Sequence, residues 1–92
     1  MENVDYSYAM NRALNYIEHN LMQVLDLEEI ANRANYSLFH FHRIFQKSNG
    51  ISLKSYIRKR RLSEAARDVL FSKIPLKRIA GDYCFDSQES FT

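Results

Sequence analysis

Five side chains able to make directional contacts, Phe39, His42, Arg43, Gln46 and Lys47, recur at short helical spacings within one stretch of the chain. At 3.6 residues per turn they fall on one side of a helix, while Leu38, Phe41 and Phe45 take the other. Their chemistry is recognition. A guanidinium presents five donors in a planar fork, an imidazole and a carboxamide each donate and accept, and a phenyl ring offers an apolar face. Such a set suits a planar edge rich in hydrogen-bond acceptors and close to negative charge. Bond-breaking chemistry has no comparable constellation. There is no Gly-rich phosphate loop, no recognisable carboxylate pair and no nucleophile with an obvious base, so an enzyme is not expected. His40 and His42 point in different directions on a helix, which argues against a shared metal site, and no cofactor is expected.

The charge pattern narrows the partner. Between Ile30 and Ser63 there is no Asp or Glu, yet the window holds Arg33, Arg43, Lys47, Lys54, Arg58, Lys59, Arg60 and Arg61. The acids lie in the flanks, while the whole chain of 92 residues carries a formal charge of only +2. One basic zone on a nearly neutral chain points to a polyanion. Arg43 can donate two hydrogen bonds to guanine O6 and N7, His42 and Gln46 can reach base edges or phosphates, and Phe39 can meet a thymine methyl. Phe39 alone would read as part of a hydrophobic patch, and Arg43 with Lys47 alone as a solvated pair. Their joint display without nearby acids favours the major groove of DNA. The run Arg58-Lys59-Arg60-Arg61 surrounds a helix, so its members cannot all face one partner. One or two are expected on phosphates, with others capping carbonyls or pairing with Glu64 and Asp68.

The elements that must position these groups are helical. Two Gly, one Pro and 46% hydrophobic residues, with apolar clusters at three- and four-residue spacing, predict an all-α fold. A first helix is expected over about Ser7 to Asn20, capped by Ser7 or Asp5, with Met10, Ala13, Leu14, Ile17 and Leu21 as its stripe. A short second helix starts at an Asp26 cap with Glu29 in the capping-box position. Asn35 tolerates the left-handed turn that follows, and Ser37 caps a third helix running to about Lys47 or Ser48. Ser52 caps a long fourth helix reaching about Phe71, Ile74-Pro75 marks a boundary, and a fifth helix runs from Leu76 to about Tyr83. A turn at Cys84-Phe85-Asp86 leads to a sixth helix beginning at Ser87.

A repeat organises these pieces. Leu27, Ile30, Ala31, Ala34 and Tyr36 return forty-nine positions later as Leu76, Ile79, Ala80, Tyr83 and Phe85, and Ser37 and Phe41 align with Ser87 and Phe91 after one extra residue. Two helix-turn-helix units are thus expected, joined by a long linker helix, within one domain over 1–92. The first unit covers about 27–48, the linker about 52–71 and the second, incomplete unit about 76–92. About 20 helical residues span about 30 Å, close to the roughly 34 Å repeat of B-DNA.

Taken together, Leu27-Glu28-Glu29-Ile30-Ala31, the stretch from Tyr36 to Phe45, Gly50-Ile51-Ser52, Tyr56 to Leu62 and Phe85 to Thr92 resemble the DNA-binding domain of the AraC/XylS family of bacterial transcription regulators. The resemblance covers the chain from about Tyr8. It implies double-stranded promoter DNA as partner and contact with RNA polymerase. By motif position it implies base reading by Phe39, His42 and Arg43 and by Glu89 and Thr92 in the second unit, to which the outward face of the third helix adds Gln46. Ser37, His40, Lys47, Arg58, Arg61, Ser87 and Gln88 are expected at phosphates. The sequence departs from the family at the turn glycines, replaced by Asn35 and Cys84, and at Gly81 within a helix. The family also continues the last helix and adds a closing one, so the second unit is expected to be frayed and the chain a fragment or a naturally short protein. The initial Met suggests that this domain came first in the parent.

The competing expectation is an interaction module or dimerising fragment using an exposed apolar surface around Phe85 and Phe91. Cys84, the single cysteine, forms no intramolecular disulfide and fits a reducing, cytoplasmic setting. No apolar run approaches the roughly 20 residues that span a bilayer, so no membrane partner is expected.

Overall fold

Helix boundaries follow local signals along most of the chain. The computed structural model describes residues 6–85. It contains α1 (Ser7–His19), α2 (Leu27–Arg33), α3 (Leu38–Asn49), α4 (Leu53–Phe71) and α5 (Leu76–Asp82), with no strand among the described residues. Ser37 caps α3 by accepting from the His40 N–H at 3.2 Å, and Ser52 caps α4 by accepting from the Ser55 N–H at 3.1 Å. The sixth helix expected from Ser87, with Phe91, lies outside the described residues.

Three local expectations need correcting. The N-cap of α1 is Tyr6, with no side-chain cap bond, and Ser7 is already the first helical residue; Asp5 lies outside the described residues. Asp26 does cap α2, accepting from the Glu28 N–H at 3.0 Å, but Glu29 is held instead by Arg33, 2.9 Å from its Nε. A charge-assisted bond one turn along the helix outcompetes a neutral N–H at an exposed end. Finally, α3 continues through Asn49, whose amide donates to the Phe45 carbonyl at 3.1 Å, and stops at Gly50 in the left-handed conformation, φ 80°.

The repeat is written into the backbone. After α2, the Asn35 N–H donates to Asn32 O at 2.9 Å and the Tyr36 N–H to Ala31 O at 3.0 Å. After α5, the Cys84 N–H donates to Gly81 O at 3.0 Å and the Phe85 N–H to Ala80 O at 2.9 Å. Both are full Schellman endings, and both turn through a left-handed residue that is not glycine, Asn35 at φ 66° and Cys84 at φ 65°.

The core sits between α1, α2 and α3 and extends along α4. Ala13, Ile17, Ile30, Phe41, Phe45 and Leu53 are fully buried there, while Ile79 and Tyr83 carry it beneath α5. Helix α1 packs on α2 and α2 on α3, and both α3 and α5 rest on α4. The Phe45 ring joins α3 to α4 by meeting Tyr56 edge-on at 5.5 Å. Tyr83 ties α5 to α4 with a hydroxyl bond to Asp68 at 3.1 Å. At its far end α4 leaves Leu70 and Phe71 exposed, whereas Phe85 is buried. Phe85 therefore contributes little to the apolar surface expected around Phe85 and Phe91, because the turn folds that ring back into the core; Phe91 lies outside the described residues.

Candidate nucleic-acid interface

The presentation of α3 begins with its turn and cap. The left-handed Asn35 reverses the chain after α2 and Ser37 fixes the first turn of α3. Phe41, Ile44 and Phe45 then lock its inner face. The opposite face is open. Phe39 is 73% exposed, Arg43, Gln46 and Lys47 are exposed, and His42 is half-buried at the margin. The Arg43 guanidinium lies over the Phe39 ring, 6.0 Å from its centroid. An apolar plane and a planar donor fork thus project side by side, without a carboxylate to neutralise the fork.

His40 stands apart from that group. Its ring meets Tyr36 edge-on at 5.1 Å, and Tyr36 in turn meets Tyr6 at 5.9 Å. Tyr6, His40, Arg43 and Lys47 together line a shallow cleft of about 260 Å³ beside α3. Sequence reasoning missed Tyr6, since nothing in its own neighbourhood signals that it would reach α3.

The basic zone divides into tied and untied cations. Arg33 is paired with Glu29 and lies 4.5 Å over the Tyr16 ring. Arg60 grips both oxygens of Glu18, at 2.8 and 2.9 Å, and reaches Glu64 at 3.0 Å. This bond to Arg60 holds the Glu18 carboxyl below its ordinary value, and the two carboxylates push the Arg60 guanidinium upward. Arg61 donates through Nε to Leu21 O at 2.9 Å and through Nη2 to Gln23 O at 2.7 Å. It is therefore a clamp on carbonyls, which differs from the phosphate role expected for it. The expected sorting of the run into partners and caps holds, but Arg60 selects Glu18 on α1 as well as Glu64, and Asp68 goes to Tyr83. Among the described residues, Arg43, Lys47, Lys54, Arg58 and Lys59 have no ion-pair partner. Lys54 and Arg58 line a cleft with Leu25, Leu27 and Phe85, so Lys54 joins the phosphate candidates that sequence reasoning had not singled out. Ser87, Gln88, Glu89 and Thr92 lie outside the described residues.

A short helix, a left-handed turn and a capped, open second helix make helix-turn-helix the class that this fold and surface define. Residues 30–92 match the family model described as a helix-turn-helix domain. The Transposon Tn10 TetD protein of Escherichia coli is 49% identical over 87 residues, 95% of this chain and 63% of that one. The multiple antibiotic resistance protein MarA of Escherichia coli is 40% identical over 84 residues, 91% of this chain and 66% of that one. Among solved structures, the DNA-binding domain of AdpA, a global transcriptional factor, in complex with a target DNA superposes with a TM-score of 0.78. It is 25% identical and the match covers 90% of this chain and 74% of that one. The chain belongs to the AraC/XylS-type helix-turn-helix family of DNA-binding transcription regulators. It spans less than two thirds of the length of these curated relatives.

Proposed function

We propose that this chain binds double-stranded promoter DNA sequence-specifically and regulates transcription, with α3 in a major groove. The observation that carries the reading is the open face of α3, where Phe39 and Arg43 project together in an acid-free zone. Phe39, His42, Arg43 and Gln46 read base edges. Ser37, His40, Lys47 and Arg58 meet phosphates, with Lys54 added on its position and Arg61 removed because two carbonyls already hold it. By motif position, Glu89 and Thr92 read bases and Ser87 and Gln88 meet phosphates in the second unit. The chain acts as one domain, its two units spaced by α4, whose 19 residues span about 28 Å.

The proposal extends to a cytoplasmic setting, no enzymatic activity and contact with RNA polymerase. Among the described residues no helix is long and apolar enough to cross a membrane. For self-association, Leu70 and Phe71 offer an exposed apolar surface and the buried Phe85 does not.

Selection of bound duplexes from a random pool, at low and moderate salt, tests the reading. Recovery of a half-site supports base reading by α3, and two half-sites in phase support docking of both units. Salt-sensitive binding without any motif would reduce the chain to a phosphate binder.

A further inference from the structure

A long helix alone does not fix how two units face a duplex. The first unit sits on the start of α4 through the Phe45–Tyr56 contact, and α5 sits further along through the Tyr83–Asp68 bond. Between these anchorages the chain adds a bracket. Arg61 reaches back across α4 to the loop that joins α1 to α2, donating to Leu21 O and Gln23 O through two arms of its fork. The Cys84 thiol, in the turn of the second unit, lies 3.5 Å from the same Gln23 oxygen. That one carbonyl, in the loop leading into the first unit, meets both the bridging helix and the turn of the second unit. Leu25 and Leu27 on one side and Phe85 on the other line the cleft beside it.

We infer that Arg61 is a positioning residue that sets the relative orientation of the two units, and through it the spacing of half-sites that the chain accepts. The inference rests on the proposed two-unit reading of DNA. Two linked modules reinforce each other only when the linkage matches the span between their sites, and a stiff linkage makes that match narrow. Each added base pair rotates the second half-site by about 34° around the duplex. A unit held by the bracket resists that rotation, whereas loss of the two Arg61 bonds loosens the loop that the Cys84 thiol also meets. The fork geometry is what makes the bracket two-armed, since an ammonium is a point charge on a flexible stem.

The test measures affinity of the full chain for duplexes carrying two selected half-sites, with the natural spacer and with one or two base pairs added or removed. A single half-site duplex and a salt series are run beside them. For the parent, two added base pairs should weaken binding by at least about tenfold. Arg61→Lys and Arg61→Gln should both lose affinity at the natural spacer and flatten the profile to within about threefold. Both should bind the single half-site as the parent does and keep its salt slope. Several results would overturn the inference. One is an Arg61→Lys profile as sharp as the parent's. Another is an Arg61→Gln variant whose salt slope falls by about one with the profile unchanged, which would make Arg61 a phosphate contact. Loss of single half-site binding in both variants would reduce the bracket to a fold element. A flat parent profile defeats the bracket while leaving recognition by α3 intact, and a parent that binds no duplex defeats recognition itself and the bracket with it.

Discussion

At the scale of single residues, the two turns make a matched experiment. Asn35 and Cys84 occupy the same place in the same Schellman ending at nearly the same φ, 66° and 65°. A short polar side chain tolerates that region by bonding locally, while a thiol does not. Cys84→Gly should therefore stabilise the protein by up to about 1 kcal/mol, net of the freedom glycine adds to the unfolded chain. Asn35→Gly should change it by only a few tenths, about 0.3 kcal/mol. Urea melts of both variants check this, and equal effects would mean that the thiol is unstrained. On the open face of α3, Arg43 and Lys47 should separate by their readout. Arg43→Ala should relax base choice at one position by about 1–3 kcal/mol, while Lys47→Ala should weaken all sequences alike and lower the salt slope by about one. Both residues were legible as exposed cations from spacing alone. Arg60 and Arg61 were not legible individually, because their neighbours in sequence say nothing about which cation meets a carboxylate or a carbonyl.

At the scale of elements, the helices carry weaknesses that belong to them alone. Gly81 lies inside α5, and a Cβ built there meets nothing within 4 Å. Gly81→Ala should raise stability by about 0.5–1 kcal/mol through helix propensity alone. A fall in the melting temperature would show that the apparent space is taken up. The join of α1 to α4 is electrostatic and responds to pH. Arg60 holds the Glu18 carboxyl below its ordinary 4.5, so the folded state binds that proton less readily than the unfolded chain. The stabilisation is present above about pH 4.5 and disappears as pH falls through the depressed value. The pair is partly solvated, so the effect should stay below about 1 kcal/mol. Glu18→Gln should lower stability at pH 7 and flatten the acid limb of a stability–pH curve; an unchanged limb would remove Glu18 from the join. Helix extents fell within a residue or two of those expected from sequence; two of the three expected caps on α2, α3 and α4 matched in full, and the third lost only its Glu29 arm.

At the scale of the molecule, what matters is how the eight cations of the acid-free window divide. Three are tied to internal partners, and five face outward among the described residues. Counterion release scales with phosphates neutralised, at about 0.9 per contact for B-DNA. The double variant Lys54→Ala, Arg58→Ala should therefore lower the slope of log affinity against log salt by about 2, while Arg60→Ala should leave the slope alone and lower only stability. A slope that drops with Arg60→Ala instead would mean that the pairing with Glu18 opens on DNA. Charge counting along the sequence located the zone but overstated the number of cations free to serve it.

The helices, the capping residues of α2, α3 and α4, the two left-handed turns and the open face of α3 were determined by the sequence itself. They depend on interactions between residues at most five apart, and such interactions are written in local order. The internal repeat carried the same information to the scale of two units. Only the tertiary structure decided that Tyr6 would reach α3, that Phe85 would be buried, and that Arg60 and Arg61 would be spent inside the molecule. Glu18 lies 42 residues from Arg60, and Leu21 and Gln23 lie 40 and 38 residues from Arg61. Consecutive residues on a helix differ by about 100° in direction. What each member of that basic run meets is therefore set by which helix has packed on its side.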